Sequence, residues 1–294
     1  MIPQHAQHPV RGALYIGAAV FLFASMDVLA KFIARSEYPV PVALWARYFV
    51  HMLFMVIVLG PRIGLDLVRT QRPGLQILRG LLLAGSTLFF YSSLKFLPLA
   101  EAAAISFVAP LMVVAFSGPI LHEKVTRGQW LAVLAGFVGV LIVVHPDAAL
   151  MHLATLLPLA TAFFYSLYQV FTRKLAGREN PLTSLFYTAL VGATVASVAL
   201  PFTWKTPTLT QGIMLMCIGL IGGFGHFLLI KAMHYAAPSA LAPVIYSQLV
   251  WANIYSMIVF NDYPDAVSVV GMVIIVVAGL YAANWRWKRK PATP

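Results

Sequence analysis

Apolar residues run through this chain in long stretches, interrupted at short intervals by proline, glycine and charge. A helix needs about 20 mostly apolar residues to cross a bilayer. Ten stretches meet that measure: 12–34, 41–60, 76–97, 99–121, 128–145, 151–173, 182–203, 210–235, 239–260 and 265–285. Pro39, Pro41, Pro73, Pro98, Pro146, Pro181, Pro207, Pro238 and Pro264 fall at or beside the breaks. Proline stops helices there because it lacks an N–H and restricts the residue before it. The connections are short, so successive helices are antiparallel neighbours. The pattern predicts an all-α membrane protein with ten transmembrane helices.

The polar interruptions repeat. Phe23–Ala34 returns loosely as Tyr165–Ala176, and at an offset of 142 Asp27 falls on Gln169 and Lys31 on Arg173. In each copy a polar residue and a cation stand four apart, on one helix face. Charges inside apolar spans are costly, which makes a repeated pair informative. Pro41–Arg47 corresponds to Pro181–Tyr187 at an offset of 140, Pro98 matches Pro238, and Glu123 lies opposite Asp262 at an offset of 139. Gly136 and Gly139 match Gly271 and Gly279 less closely. Residues 1–146 and 147–294 thus each carry five helices. Five is odd, so the halves enter the membrane from opposite sides. The expected architecture is two inverted-topology five-helix repeats around a central cavity, as in secondary transporters.

Composition strengthens this reading. Of 294 residues, 61% are hydrophobic and 10% are charged, against about 25% charged in soluble domains. The net charge of +11 is explained by the distribution of Lys and Arg between loops rather than by nucleic acid. One side holds Arg11, Arg62, Arg69, Arg72, Lys124, Arg127, Arg173, Lys174, Arg178 and the basic run from Arg286 to Lys290. The other offers Lys31, Arg35, Lys95 and Lys205, with Asp262 and Asp265 in the last connection. Both termini are therefore expected on the cytoplasmic side of a bacterial inner membrane. The apolar run after Arg11 is too long for a signal-peptide core and reads as an uncleaved first span. Cys217 is the single cysteine, which excludes an intrachain disulfide and a cysteine metal cluster. No zinc signature appears, and no cofactor is expected.

Several motifs then resemble a known family. Arg47-Tyr48-Phe49 at the start of the second helix is similar to that family's Arg-Phe signature. The turn from Leu97 to Pro110 and the segment Leu121-His122-Glu123-Lys124-Val125 before a glycine-rich helix also resemble its connections. On these residues the chain is identified as resembling the drug/metabolite transporter superfamily, in its EamA-type ten-helix form, which includes an aromatic amino-acid exporter branch. The second half departs from the pattern, with Tyr187 for the arginine and Asp262 for the glutamate. The resemblance implies two five-helix bundles around a cavity, helices five and ten peripheral, and a metabolite as cargo.

Candidate site residues follow from the cost of polarity inside the bilayer. Asp27 and Lys31 form either a structural i,i+4 ion pair or part of a substrate or proton site. Arg47 needs a partner or water; Asp27 and a substrate carboxylate are the two options. Tyr91, Tyr165, Tyr168, Tyr246, Trp251, Gln169 and Gln248 carry polar groups to midspan, for interhelical hydrogen bonding or for a wet, aromatic-lined cavity. His226 is the deepest histidine of the eighth helix. Arg79 reads as an orientation anchor at its helix start. Pro110 and Pro243 would loosen the fourth and ninth helices, and the family pattern gives Glu123 a gating or helix-packing role.

Such a cavity suits a small amphipathic metabolite. An aromatic amino acid fits, its rings stacked, its carboxylate on Arg47 or Lys31 and its amine on Asp27. Amino-acid export is the leading expectation; a vitamin such as a flavin, or a nucleotide sugar, is the alternative. The expected partners are this small molecule and the bilayer, for a monomer or weak homodimer working by alternating access. An intramembrane enzyme would require a nucleophile with a base, paired acids or a metal site, and no such motif appears. A channel would require pore-lining rings.

Overall fold

The computed structural model describes residues 9–122, 125–144, 149–175, 178–235 and 238–287, and every regular element among them is helical. In order these are α1 (Pro9–Arg35), α2 (Val40–Val58), α3 (Gly60–Ile63), α4 (Pro73–Ser93), α5 (Leu99–Ser106), α6 (Ala109–Leu121), α7 (Arg127–Val144), α8 (Ala149–Leu175), α9 (Pro181–Thr203), α10 (Leu209–Tyr235), α11 (Pro238–Phe260) and α12 (Ala266–Trp287). Eight stretches among the described residues are long and apolar enough to cross a bilayer, with α5 and α6 counted as one; 244–260 and 266–282 are shorter apolar helices. Their outward faces carry large aliphatic side chains, with Leu141 70%, Val198 70% and Ile258 79% exposed. An apolar coat of that density is solvated by lipid. This is a multi-pass membrane protein.

Two local features differ from the plain reading of hydropathy. The fourth span is broken: α5 ends at Ser106, and Pro110 sits at the start of α6. Its ring clashes with the carbonyl four residues back and offers no N–H, so the helix restarts. α11, by contrast, continues through Pro243. The connection after α2 is not a simple loop either, since α3 leads into a 3-10 turn at Gly64–Leu67. α9 ties it down. Thr183 donates to the Asp66 carbonyl at 2.7 Å and Tyr187 to the Val68 carbonyl at 2.9 Å.

The dominant packing crosses between 9–144 and 149–287, and it comes in reciprocal pairs. α1 lies on α10 as α4 lies on α8; α2 meets α10 as α4 meets α9; α1 meets α11 as α6 meets α8. α2 packs on α9, and α7 packs chiefly on α12. Glycine makes the last pairing close, because a Cβ on Gly139 would stand 2.9 Å from the Gly271 carbonyl oxygen. Small residues of this kind let membrane helices gain dispersion contact where no hydrophobic drive exists.

Contacts also give directions. Ser36, Phe23 and Tyr15 of the α1 region meet Gln211, His226 and Tyr235 of α10 in turn, so α1 and α10 are antiparallel. Arg79 and Ser86 of α4 meet Thr172 and Thr161 of α8, so these are antiparallel too. Lys31 of α1 reaches the Leu97 carbonyl just after α4, placing the C-terminal ends of α1 and α4 together. α1 and α8 therefore run in opposite directions, as do α4 and α10. The bundle has one end marked by Arg35 and another marked by Arg79.

Candidate functional site

α1, α2, α4, α8, α10 and α11 bring polar groups to one level of the bundle. Asp27 of α1 is buried, and its Oδ2 accepts a long hydrogen bond of 3.4 Å from Gln248 Nε2 of α11. Arg47 of α2 donates to the Tyr91 hydroxyl of α4 at 3.3 Å, and its guanidinium also lies over the Tyr91 and Tyr48 rings, at 5.7 and 5.6 Å. Asp27 and Arg47 lie in each other's electrostatic field, yet no direct ion pair joins them among the described residues. Buried Asp27 and half-buried Arg47, opposite in charge but not in contact, are each left with spare hydrogen-bonding capacity.

The walls are aromatic. Tyr165 and Tyr168 of α8 stand 5.8 Å apart, and Gln169 donates to the Tyr165 hydroxyl at 3.3 Å. Arg47 acts electrostatically on Tyr165 as well. Behind Arg47, the Tyr48 hydroxyl meets Thr87 Oγ1 at 2.8 Å. The Thr87 proton is already given to the Leu83 carbonyl, so Tyr48 is the donor. Gly192 of α9 permits this arrangement: a Cβ there would lie 2.5 Å from the Tyr48 ring.

His226 of α10 belongs to this layer, and it brings a residue that hydropathy did not single out. Its ring stacks on His51 of α2 at 5.8 Å with 5° between planes, and meets the Phe23 ring at a tilt of 57° with 4.9 Å between centroids. His51 is buried, and its Nε2 has no hydrogen-bond partner among the described residues. Both imidazoles feel Arg47. The available signal for His51 was its spacing, four residues after Arg47 on the same helix face.

Other expected residues lie elsewhere. Lys31 does not pair with Asp27; it is buried and donates to the Leu97 carbonyl, with Arg35, Glu101 and Asp262 as its charged neighbours. Trp251 packs edge-on against Phe21, 41% exposed, at 5.0 Å, and lies 6.4 Å from Tyr255. That is a seam between α1 and α11 rather than the Arg47 layer. Tyr246 leaves Gln248 on another face of α11 and packs on Phe107 at 5.6 Å and against Gly279. Pro110 marks the α5–α6 break. Glu123 and the side chain of Pro243 lie outside the described residues.

The two ends are held differently. At the Arg35 end an exposed salt bridge links Arg35 to Asp262 at 2.9 Å, with Arg35 4.7 Å above Phe260. Tyr38, between α1 and α2, donates to the Lys205 carbonyl at 2.5 Å; burial pushes its phenol above the usual range, which keeps it a donor. At the other end Arg79 of α4 is not an interfacial anchor. It is 3% exposed and joins α4 to α8 and α9 through neutral acceptors. No group of three or more His, Cys, Asp or Glu among the described residues could hold a metal ion.

Comparison with known proteins agrees with this architecture. Residues 10–145 and 152–284 each match the EamA-like transporter family. An S-adenosylmethionine uptake transporter from Rickettsia bellii is 33% identical over 259 residues, 87% of each chain. A riboflavin transporter from Vibrio cholerae is 30% identical, over 96% of each chain, and a pseudopaline exporter from Pseudomonas aeruginosa is 26% identical, over 91% of this chain and 94% of that one. A solved structure superposes with a TM-score of 0.65 at 19% identity, covering 95% of this chain and 99% of the other. With both halves matched and relatives at this identity spanning most of its length, the chain belongs to the EamA-like transporter family.

Proposed function

We propose that this transporter carries a zwitterionic metabolite with a flat heteroaromatic group, of which S-adenosylmethionine is the type. The observation that supports it is the separated pair of Arg47 and Asp27, near each other but not in contact, beside the tyrosines of α4 and α8. A carboxylate would satisfy Arg47, whose planar fork suits it. An ammonium or sulfonium would be held by Asp27. A flat ring would stack on Tyr165 or Tyr91, and the unpartnered Nε2 of His51 would meet one of its heteroatoms. The relatives favour this kind of cargo over the aromatic amino acids expected from sequence, because relatives at 30% identity or more include proteins named for S-adenosylmethionine uptake and riboflavin transport.

The opposite directions of α1 and α8, and of α4 and α10, support an inverted repeat of 1–146 and 147–294. Alternating access then follows from rocking one half against the other around the Arg47 layer. Riboflavin is the second reading, favoured by a relative that matches 96% of this chain. It is weaker because a neutral flavin leaves the two charges unanswered.

The test is uptake of radiolabelled S-adenosylmethionine, riboflavin and phenylalanine into proteoliposomes of purified protein. Saturable S-adenosylmethionine uptake, reduced at least tenfold in Arg47→Ala and Asp27→Asn, is the expected result. Riboflavin uptake alone would transfer the assignment to the second reading. Phenylalanine uptake alone would restore the amino-acid expectation.

A further inference from the structure

The Arg79 cluster combines features that a simple structural bolt does not need. Its guanidinium is buried, and every hydrogen-bond partner is neutral. Nε donates to Thr172 Oγ1 at 2.8 Å, Nη1 to Gln76 Oε1 at 2.8 Å and to the Ser184 carbonyl at 3.3 Å, and Nη2 to the Tyr168 hydroxyl at 3.4 Å. Gln76 in turn donates to Ser184 Oγ at 2.9 Å. No carboxylate pairs with Arg79 among the described residues. Burying a full charge against neutral dipoles alone is expensive, and a neutral residue could join these helices at lower cost.

Position gives the charge a use. Arg79 lies 5.0 Å from the Tyr168 ring, Tyr168 lies 5.8 Å from Tyr165, and both pack in one cluster with Tyr48, whose ring lies 5.6 Å from Arg47. Two cations are therefore linked by a short run of tyrosines, one at the central layer and one nearer the Arg79 end. The hydrogen bonds of Arg79 also cross from α4 to α8 and α9, so they must break when the two halves part at this end. The freed guanidinium would then face the opened path with several donors unspent.

We infer that Arg79 is a second docking site, for the carboxylate or other anionic group of the cargo, exposed when the bundle opens at the Arg79 end. In the closed arrangement Thr172, Gln76, Ser184 and Tyr168 hold the guanidinium in place of the anion. Cargo entering from or leaving by this end passes its negative group between Arg47 and Arg79 along the tyrosines. The anionic class of the group follows from the arginine alone; its identity as a zwitterion's carboxylate rests on the reading above.

The experiment separates these two levels. Ser184→Cys is introduced into a Cys217→Ser background, and purified protein in proteoliposomes is treated with anionic and cationic methanethiosulfonate reagents of similar size. The anionic reagent is expected to react faster by on the order of tenfold, through local enrichment at an exposed cation. Arg79→Gln should erase that preference and Arg79→Lys should keep most of it, with thermal unfolding confirming that each variant is folded. Equal rates for the two reagents, or a preference unchanged in Arg79→Gln, would overturn the proposal. So would an introduced thiol that neither reagent reaches, because the cluster would then be a permanent seal. Radiolabelled S-adenosylmethionine supplies the second measurement: in Arg79→Gln the KM should rise for transport starting at the Arg79 end and stay unchanged from the Arg35 end. A reagent preference without any S-adenosylmethionine transport would preserve the anion site and remove the cargo assignment.

Discussion

Arg47 and Asp27 are the residues on which the functional reading turns. Removing Arg47's charge as Arg47→Gln should cost about 1.5–3 kcal/mol of transport, a fall of roughly 10- to 150-fold in kcat/KM, the range of a charged hydrogen bond. Asp27→Asn should behave similarly with S-adenosylmethionine. If each variant transported like the wild type in an initial-rate assay, the separated pair would be structural only. His51 gives a prediction with two signs. Its unpaired, buried Nε2 is a stability cost, so His51→Phe should raise the melting temperature. Losing one neutral hydrogen bond to cargo, about 0.5–1.5 kcal/mol, should raise KM by roughly 2- to 12-fold. A melting temperature that rises with no change in KM would place His51 outside the cargo's reach.

At the level of elements, helix approach is set by where a side chain would collide. A Cβ on Gly192 would stand 2.5 Å from the Tyr48 ring, whereas one on Gly212 has nothing within 4 Å. Gly192→Ala should therefore destabilise by about 1–3 kcal/mol through overpacking, displacing Tyr48 from Thr87 and with it the backing of Arg47. Gly212→Ala should instead stabilise by about 0.5–1 kcal/mol, since alanine is the better helix former. Thermal unfolding in detergent reads both; the same sign for the two variants would contradict the packing between α2 and α9. The break between α5 and α6 was foreshadowed by Pro110. The helical start of the α2–α4 connection was not, because its anchoring comes from Thr183 and Tyr187 of a helix more than a hundred residues away.

For the whole molecule, the loop charges predict that both termini face the cytoplasm, which places the α9–α10 connection outside and the α2–α4 connection inside. In a Cys217→Ser background, Lys205→Cys should be labelled in intact cells by an impermeant maleimide, and Arg69→Cys only after lysis. The reverse pattern would invert the orientation. At this scale the helix contacts come in reciprocal pairs between 9–144 and 149–287, which supports the repeat we propose from offset proline, aspartate and glycine positions. His122 after α6 and Asn261 after α11 add a local match, both holding positive φ near 56° at an offset of 139.

The approximate limits of the long apolar helices, their membrane setting and the family were legible in the chain itself. Each depends on local quantities: a run of apolar side chains long enough for the bilayer, a proline at its end, a short motif such as Arg47-Tyr48-Phe49. What could not be read locally was which polar residues meet. Lys31 lies one helical turn beyond Asp27 yet turns to the Leu97 carbonyl. Asp27 instead faces Gln248, which lies 221 residues away. Arg79 looked like an interfacial cation because it begins a helix, and only α8 and α9 make it a buried one. Trp251 and Tyr246 share a helix with Gln248, but their different angular positions on it send them to Phe21 and Phe107. Hydropathy records the cost of burying a group, whereas the partner that offsets that cost is chosen by the packing of helices distant in sequence.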